Sequence, residues 1–115
     1  MKNRDWMIIK KINEYAADVM VTIERYELTE TSFRDDRIHR HAISMCLLQI
    51  GELAGNLTTE FTMTHSSMPW HAMIGLRHRA AHDYGQMDLG IIWQTASLRI
   101  PELITFCEGL LKEPN

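Results

Sequence analysis

Apolar residues recur at intervals of three and four along most of the chain. Trp6, Ile9, Ile12, Ala16, Val19, Ile23 and Tyr26 form one such series, with Lys10, Lys11, Glu14 and Asp18 between them. That is the repeat of one helical face, and it predicts a helix over about residues 3–27, roughly 37 Å long at 1.5 Å per residue. Residues 29–36, rich in Thr, Ser and Asp, read as a loop with Phe33 as an anchor. A second helix is expected over 36–58, where Ile38, Ala42, Met45, Gln49, Leu53 and Leu57 share a stripe that Cys46, Leu48 and Ile50 widen. Asp35 or Asp36 can cap it by accepting from unpaired backbone amides. Gly51 and Gly55 inside it each cost about 1 kcal/mol relative to Ala, which suggests close approach of a neighbouring helix.

Residues 61–69 read as a connecting loop. Pro69 suits the first turn of a third helix over 70–84, where its missing amide hydrogen costs little, and Gly85 is placed to terminate it. Asp88 can cap a fourth helix over 89–112, carried by Ile92, Thr95, Leu98, Leu103, Phe106 and Leu110. Pro101 falls inside that series and must kink or split it near Arg99. No segment sustains a period of two, and there is no internal repeat. The pattern therefore predicts an all-α, up-and-down bundle with two long helices as its spine. Its apolar stripes are wide enough to serve a second copy as well as the core, so a homodimer is compatible with them.

Composition narrows the class. The 115 residues, 45% of them hydrophobic, correspond to one domain over residues 1–115 with a core of its own. Twelve Lys and Arg against fifteen Asp and Glu give a net charge of −3, so the chain is no polycation that coats nucleic acid. Any contact with nucleic acid must come from a local cluster, or from two clusters joined in a dimer. Cys46 and Cys107 belong to no CxxC pattern, and buried thiols of a cytosolic protein are favoured over a disulfide. Asp5 and the lack of a continuous apolar run argue against a signal peptide, and the near-apolar stretch 42–50 is too short to span a bilayer. A soluble, cytoplasmic protein is expected.

Six histidines is a high number for this length. His39 and His41 stand among Arg34, Arg37 and Arg40. His78 and His82 stand beside Arg77 and Arg79 in Met-Ile-Gly-Leu-Arg-His-Arg-Ala-Ala-His-Asp-Tyr, residues 73–84. His78 and His82 share a helical face, but a zinc site needs three or four ligands and no Cys pair or spaced carboxylate completes the set. No metal and no cofactor is expected. Arg and His together suit phosphate chemistry: a guanidinium is a permanent, planar donor to phosphate oxygens, and an imidazole moves protons near neutral pH. One His can take the proton of a ribose 2′-hydroxyl, another can protonate the leaving 5′-oxygen, and Arg can stabilise the phosphorane. In a regular helix Arg77 and His82 lie about 140° apart around the axis. The site then requires either a loosened turn near Gly85 or groups from two protomers. The bland alternative is that Arg77 and Arg79 are solvated and His82 caps a helix C-terminus, where positive charge is favoured. Tyr84 alone would be an aromatic at the core edge with a wet hydroxyl, and the 37–41 cluster a solvated face or a phosphate-attracting rim.

Arg77 to His82 fits the Arg-x4-His signature of the HEPN superfamily, and Tyr84 extends it to Arg-x4-His-x-Tyr. Asp36-Arg37, Gln49-Ile50-Gly51-Glu52, Pro69-Trp70, Trp93 and Pro101-Glu102-Leu103 resemble, in order, the HepT-like branch of that superfamily. The resemblance implies a four- or five-helix bundle that dimerises with the two motifs facing one cleft. It implies a metal-independent endoribonuclease, the toxin of a toxin–antitoxin pair whose antitoxin is a small nucleotidyltransferase. On this sequence Arg77 and His82 become the catalytic pair, and Tyr84 the hydroxyl that accepts AMP and so places a competing negative group in the RNA cleft. His78, Arg79 and Arg37 are auxiliary candidates for RNA contact. His78 replaces the small polar residue, often Asn, that usually follows the Arg. The alternative function is a non-catalytic helical dimerisation module that binds a nucleotidyltransferase or its nucleotide.

Overall fold

The computed structural model describes residues 1–82 and 88–113, and of residues 78–82 the backbone only. All regular elements among the described residues are helical. Helix α1 spans Asn3–Arg25, α2 Glu30–Asp35, α3 Arg37–Ala54, α4 Thr59–Thr64 and α5 Trp70–His82. Helix α6 (Leu89–Gln94) passes through a π-helical turn (Thr95–Arg99) into α7 (Ile100–Leu111). The expected helix over 3–27 is α1, and its stripe is the centre of the core: Ile9, Ile12, Ala16 and Val19 are fully buried. Tyr26 is the exception. It is exposed, and its ring lies 4.8 Å from that of His39.

The long elements run up and down. The start of α1 meets the connection from α3 to α4, where the buried Asp5 carboxylate accepts from the Thr58 backbone N–H at 2.9 Å and from its hydroxyl at 2.7 Å. The end of α1 meets the start of α3 through Tyr26 and His39. At the start of α5 the Trp70 ring packs on Phe106, in the middle of α7, at 5.6 Å. Helix α1 thus lies between α3 and α7, and α5 covers another face of α3.

Helix α1 ends in a Schellman turn. Leu28 N–H donates to Ile23 O at 2.9 Å and Glu27 N–H to Glu24 O at 3.3 Å, which leaves Glu27 at φ 48°, a conformation that favours glycine.

Two segments expected as loops contain helices. Within 29–36, α2 is nucleated by a capping box in which Thr29 and Ser32 each satisfy the other's backbone amide. Within 61–69, α4 continues from 59 to 64 because the Thr58 hydroxyl accepts from Phe61 N–H at 3.1 Å. Six-residue helices are too short to show a periodicity, so their caps are the only sequence signal they carry.

The stripe expected on α3 also requires correction. Ile38 and Met45 are exposed, at 63% and 54%, and the buried face is Ile43, Leu47, Ile50 and Ala54 together with Ser44 and Gly51. Helix α3 is apolar on more than one side, and its small residues decide which side goes inward. In the last helix Pro101 takes the predicted role. It cannot donate to Ser97 O, and its ring would crowd that carbonyl. The backbone widens just before it, so that Ile100 N–H reaches Thr95 O, five residues back. The extra residue turns the stripe: Ala96 and Ile100 are buried and Leu98 is 56% exposed. Asp88 caps α6 as expected, accepting from Ile91 N–H at 3.2 Å. The expected terminator Gly85 lies outside the described residues.

Of the two glycines expected inside the second helix, only Gly51 is required by close approach; Gly55 is the C-cap of α3. A Cβ there would fall on the Arg77 Cβ and lie 2.7 Å from Met73 O, whereas one at Gly55 would meet nothing nearer than 3.5 Å. Gly51→Ala is therefore expected to destabilise by about 1–3 kcal/mol through overpacking, despite the better helix propensity of Ala. Gly55→Ala is expected to be neutral or to stabilise by up to about 1 kcal/mol. Equal midpoints for the two variants in denaturant unfolding would refute the assignment. Glu27→Gly removes a left-handed non-glycine residue and is expected to add about 0.5–1 kcal/mol; a lower thermal midpoint would refute it.

Candidate functional site

Helix α5 carries the Arg-x4-His segment, and its start is fixed from three sides. Trp70 Nε1–H donates to His65 O at 3.0 Å, Met73 N–H donates to Pro69 O at 3.1 Å, and the Trp70 ring packs against Phe61 and Phe106. From there the backbone stays α-helical through His82. Arg77 and His82 are therefore separated by a regular five-residue stretch, about 140° around the axis and about 7.5 Å along it. The turn up to His82 is not loosened.

Arg77 is the candidate residue whose surroundings are best defined. Its stem lies over Gly51 of α3. Its Nε sits 2.7 Å from Oε2 of Glu52, the next residue along α3, with both side chains about half exposed at 43% and 50%. Glu52 stands 25 positions before Arg77 in the chain, so periodicity gives no sign of the pairing. The only local signal is the glycine immediately before it.

Arg37 opens α3, at the opposite end of that helix from Gly51, about 21 Å along the axis at 1.5 Å per residue. It is exposed and, among the described residues, forms no ion pair. Its neighbours are committed. Arg34 pairs with Glu30 at 2.9 Å, and Arg40 donates to Arg34 O, tying α3 to the end of α2. Asp36 caps α3 by accepting from Ile38 N–H at 2.8 Å. That bond, helped by nearby His39 and Arg40, holds its carboxyl below the ordinary aspartate value. The structure thus places Arg37 at the start of α3, away from Arg77. The side chains of His78, Arg79 and His82, and all of Tyr84, lie outside the described residues.

A groove between α3, α5 and α7 is lined by Leu47, Ile50, Met73, Leu76, Ile100 and Leu103, with Arg99 and Glu102 at its edge. Its walls are apolar, and that edge pair is mutually occupied at 3.4 Å, so it offers no acid–base chemistry. Among the described residues no group of three or more His, Cys, Asp or Glu could hold a metal ion, and no helix is long and apolar enough to cross a membrane. Both cysteines are free. Cys107 is buried, which pushes its thiol up to about 12.

Comparison with known proteins places this chain in a family. The sequence profile described as Ribonuclease HepT-like matches residues 8–110. A Thermococcus cleftensis protein named "Probable ribonuclease HepT" is 31% identical over 104 residues, covering 86% of this chain and 94% of the relative. A Caldanaerobacter subterraneus protein provisionally named an RNase is 37% identical over 82 residues, 70% of this chain and 73% of its own. A Methanocaldococcus jannaschii protein with the same kind of name is 26% identical over 102 residues, 89% and 83% of the two chains. No solved structure gives a significant match. With the profile matched along most of its length, the chain belongs to the HepT-like ribonuclease family.

Proposed function

We propose that the protein is a metal-independent endoribonuclease, active as a homodimer and serving as the toxin of a nucleotidyltransferase-based toxin–antitoxin pair. Ribonuclease activity is supported by family membership and by relatives named as ribonucleases. The single observation that carries the mechanism is the setting of Arg77: a guanidinium with its stem against Gly51, half exposed, on the helix that also carries His82.

In this mechanism one His82 imidazole takes the proton from a ribose 2′-hydroxyl, and the oxygen attacks the adjacent phosphorus. Arg77 stabilises the charge that builds on the non-bridging oxygens. A second imidazole protonates the 5′-oxygen as its bond to phosphorus breaks, leaving a 2′,3′-cyclic phosphate and a free 5′-hydroxyl. The regular helix through His82 keeps Arg77 and His82 on different sides of α5, and this supports a cleft shared by two protomers. His78 supplies an additional imidazole or hydrogen-bonding group there. Arg79 and Arg37 contact RNA phosphates outside the reacting centre. AMP joined to the Tyr84 hydroxyl by the antitoxin puts a phosphate where Arg77 would otherwise meet RNA, and so silences the enzyme.

The test is RNA cleavage by purified protein in excess chelator, with intact mass first establishing that Tyr84 is unmodified. Wild type is expected to leave 2′,3′-cyclic phosphate ends, and His82→Ala to lose at least about a hundredfold in rate. Equal cleavage by both would remove His82 from the mechanism. No cleavage of several RNAs by an unmodified dimer would favour a binding module that holds a nucleotidyltransferase. A sedimentation profile of monomer alone would overturn the shared cleft.

A further inference from the structure

Two consecutive residues of α3 converge on one residue of α5. Gly51 lets the α5 backbone come so near that any Cβ would strike the Arg77 stem, and the Glu52 carboxylate meets the Nε edge of its guanidinium at 2.7 Å. From this we infer that Glu52 is a positioning residue for Arg77: it fixes the direction of the guanidinium so that the two terminal nitrogens face a phosphate. The inference deepens the proposed function and rests on it, since it gives Glu52 a role in the same site.

Three observations favour positioning over a plain stabilising pair. An ion pair with both partners about half exposed contributes little to folding, so stability is a weak reason for it. Its closest approach lies at Nε, near the stem, and not at a terminal nitrogen. A carboxylate centred on the terminal fork would compete with a phosphate for the two donors that suit it best; one that approaches closest at Nε competes less. The base of the stem, finally, already lies against Gly51 of α3, so one further contact near the head suffices to select a rotamer. An arginine has several rotatable bonds. Holding one orientation before substrate arrives removes an ordering cost that would otherwise fall on the transition state.

The test uses the full-length, unmodified protein and steady-state RNA cleavage by Glu52→Ala, Glu52→Gln, Arg77→Gln and the double variant Glu52→Ala/Arg77→Gln. Thermal unfolding checks that each variant is folded. Glu52→Ala is expected to lower kcat by about tenfold to a hundredfold, the cost of a misdirected catalytic group, with KM changed far less. Glu52→Gln keeps an oxygen at the same reach and is expected to recover most of kcat. The double variant is expected to be no slower than Arg77→Gln alone, because Glu52 acts only through Arg77. In a nitrogen-15 spectrum the Arg77 Nε resonance is expected to move in Glu52→Ala.

Unchanged or increased kcat in Glu52→Ala would overturn the inference while leaving the functional reading intact, provided that Arg77→Gln is inactive. Losses that multiply in the double variant, a Gln variant as slow as the Ala variant, or an unmoved Nε resonance would overturn it as well. Normal cleavage by Arg77→Gln would instead remove the functional reading, and this inference with it.

Discussion

The close crossing of α3 and α5 at Gly51 governs both the packing of the bundle and the placement of Arg77. A helix interior loses about 1 kcal/mol by carrying glycine instead of alanine, and here that loss lets Met73 O and the Arg77 stem lie directly on α3. The gain is positional. With no Cβ between the helices, the base of Arg77 has little freedom, and Glu52, one residue further along α3, meets it at 2.7 Å. Any residue larger than glycine would push α5 outward and carry Arg77 with it. The same crossing sets the depth of the apolar groove beside it, because Leu47 and Ile50 of α3 face Met73 and Leu76 of α5 at that spacing.

How far the sequence foretold this depends on the range of the forces involved. The core face of α1 was legible because one stripe is apolar and the other faces carry Lys10, Lys11, Glu14 and Asp18. Pro101 was legible because the loss of an amide hydrogen and the ring clash are local facts, and the π turn ending at Arg99 is their result. Helix α3 was misread because hydrophobicity alone does not choose between Ile38, Ala42 and Met45 on one side and Ile43, Leu47 and Ile50 on another. Close packing makes that choice, and it selects the side with Ser44, Gly51 and Ala54. The Arg-x4-His spacing was visible, whereas the partner of Arg77 was not, because a contact across 25 residues leaves no periodic trace.

The short helices fix the far end of the bundle. Phe33 of α2 is fully buried, and its ring lies 5.5 Å from that of Trp93 in α6. Arg34 reaches the start of the same helix, with its guanidinium against Gly90, while pairing with Glu30 of its own helix. The capping box of Thr29 and Ser32 therefore does more than begin six residues of helix. It holds an aromatic anchor and a cation against the element that follows α5 in the chain, so α6 is tied to α2 at the end of the bundle toward which α5 runs.

A chain of net charge −3 that acts on RNA needs a different electrostatic arrangement from a general nucleic-acid binder. Several of its described cations are already engaged: Lys2 with Glu60, Arg34 with Glu30, Arg99 with Glu102, and Arg40 with a backbone carbonyl. Such pairs weaken the long-range field that would draw any polyanion to the surface. Arg77 is paired too, with its closest contact at Nε, so its net attraction for distant phosphate is reduced. Arg37 stays exposed at the start of α3, with no ion pair among the described residues. This arrangement favours short-range, directional recognition of one phosphate over non-specific adsorption along a strand. The ordering that Glu52 imposes has its greatest value here, because a protein that attracts RNA weakly must gain its selectivity once a phosphate is within reach of the guanidinium.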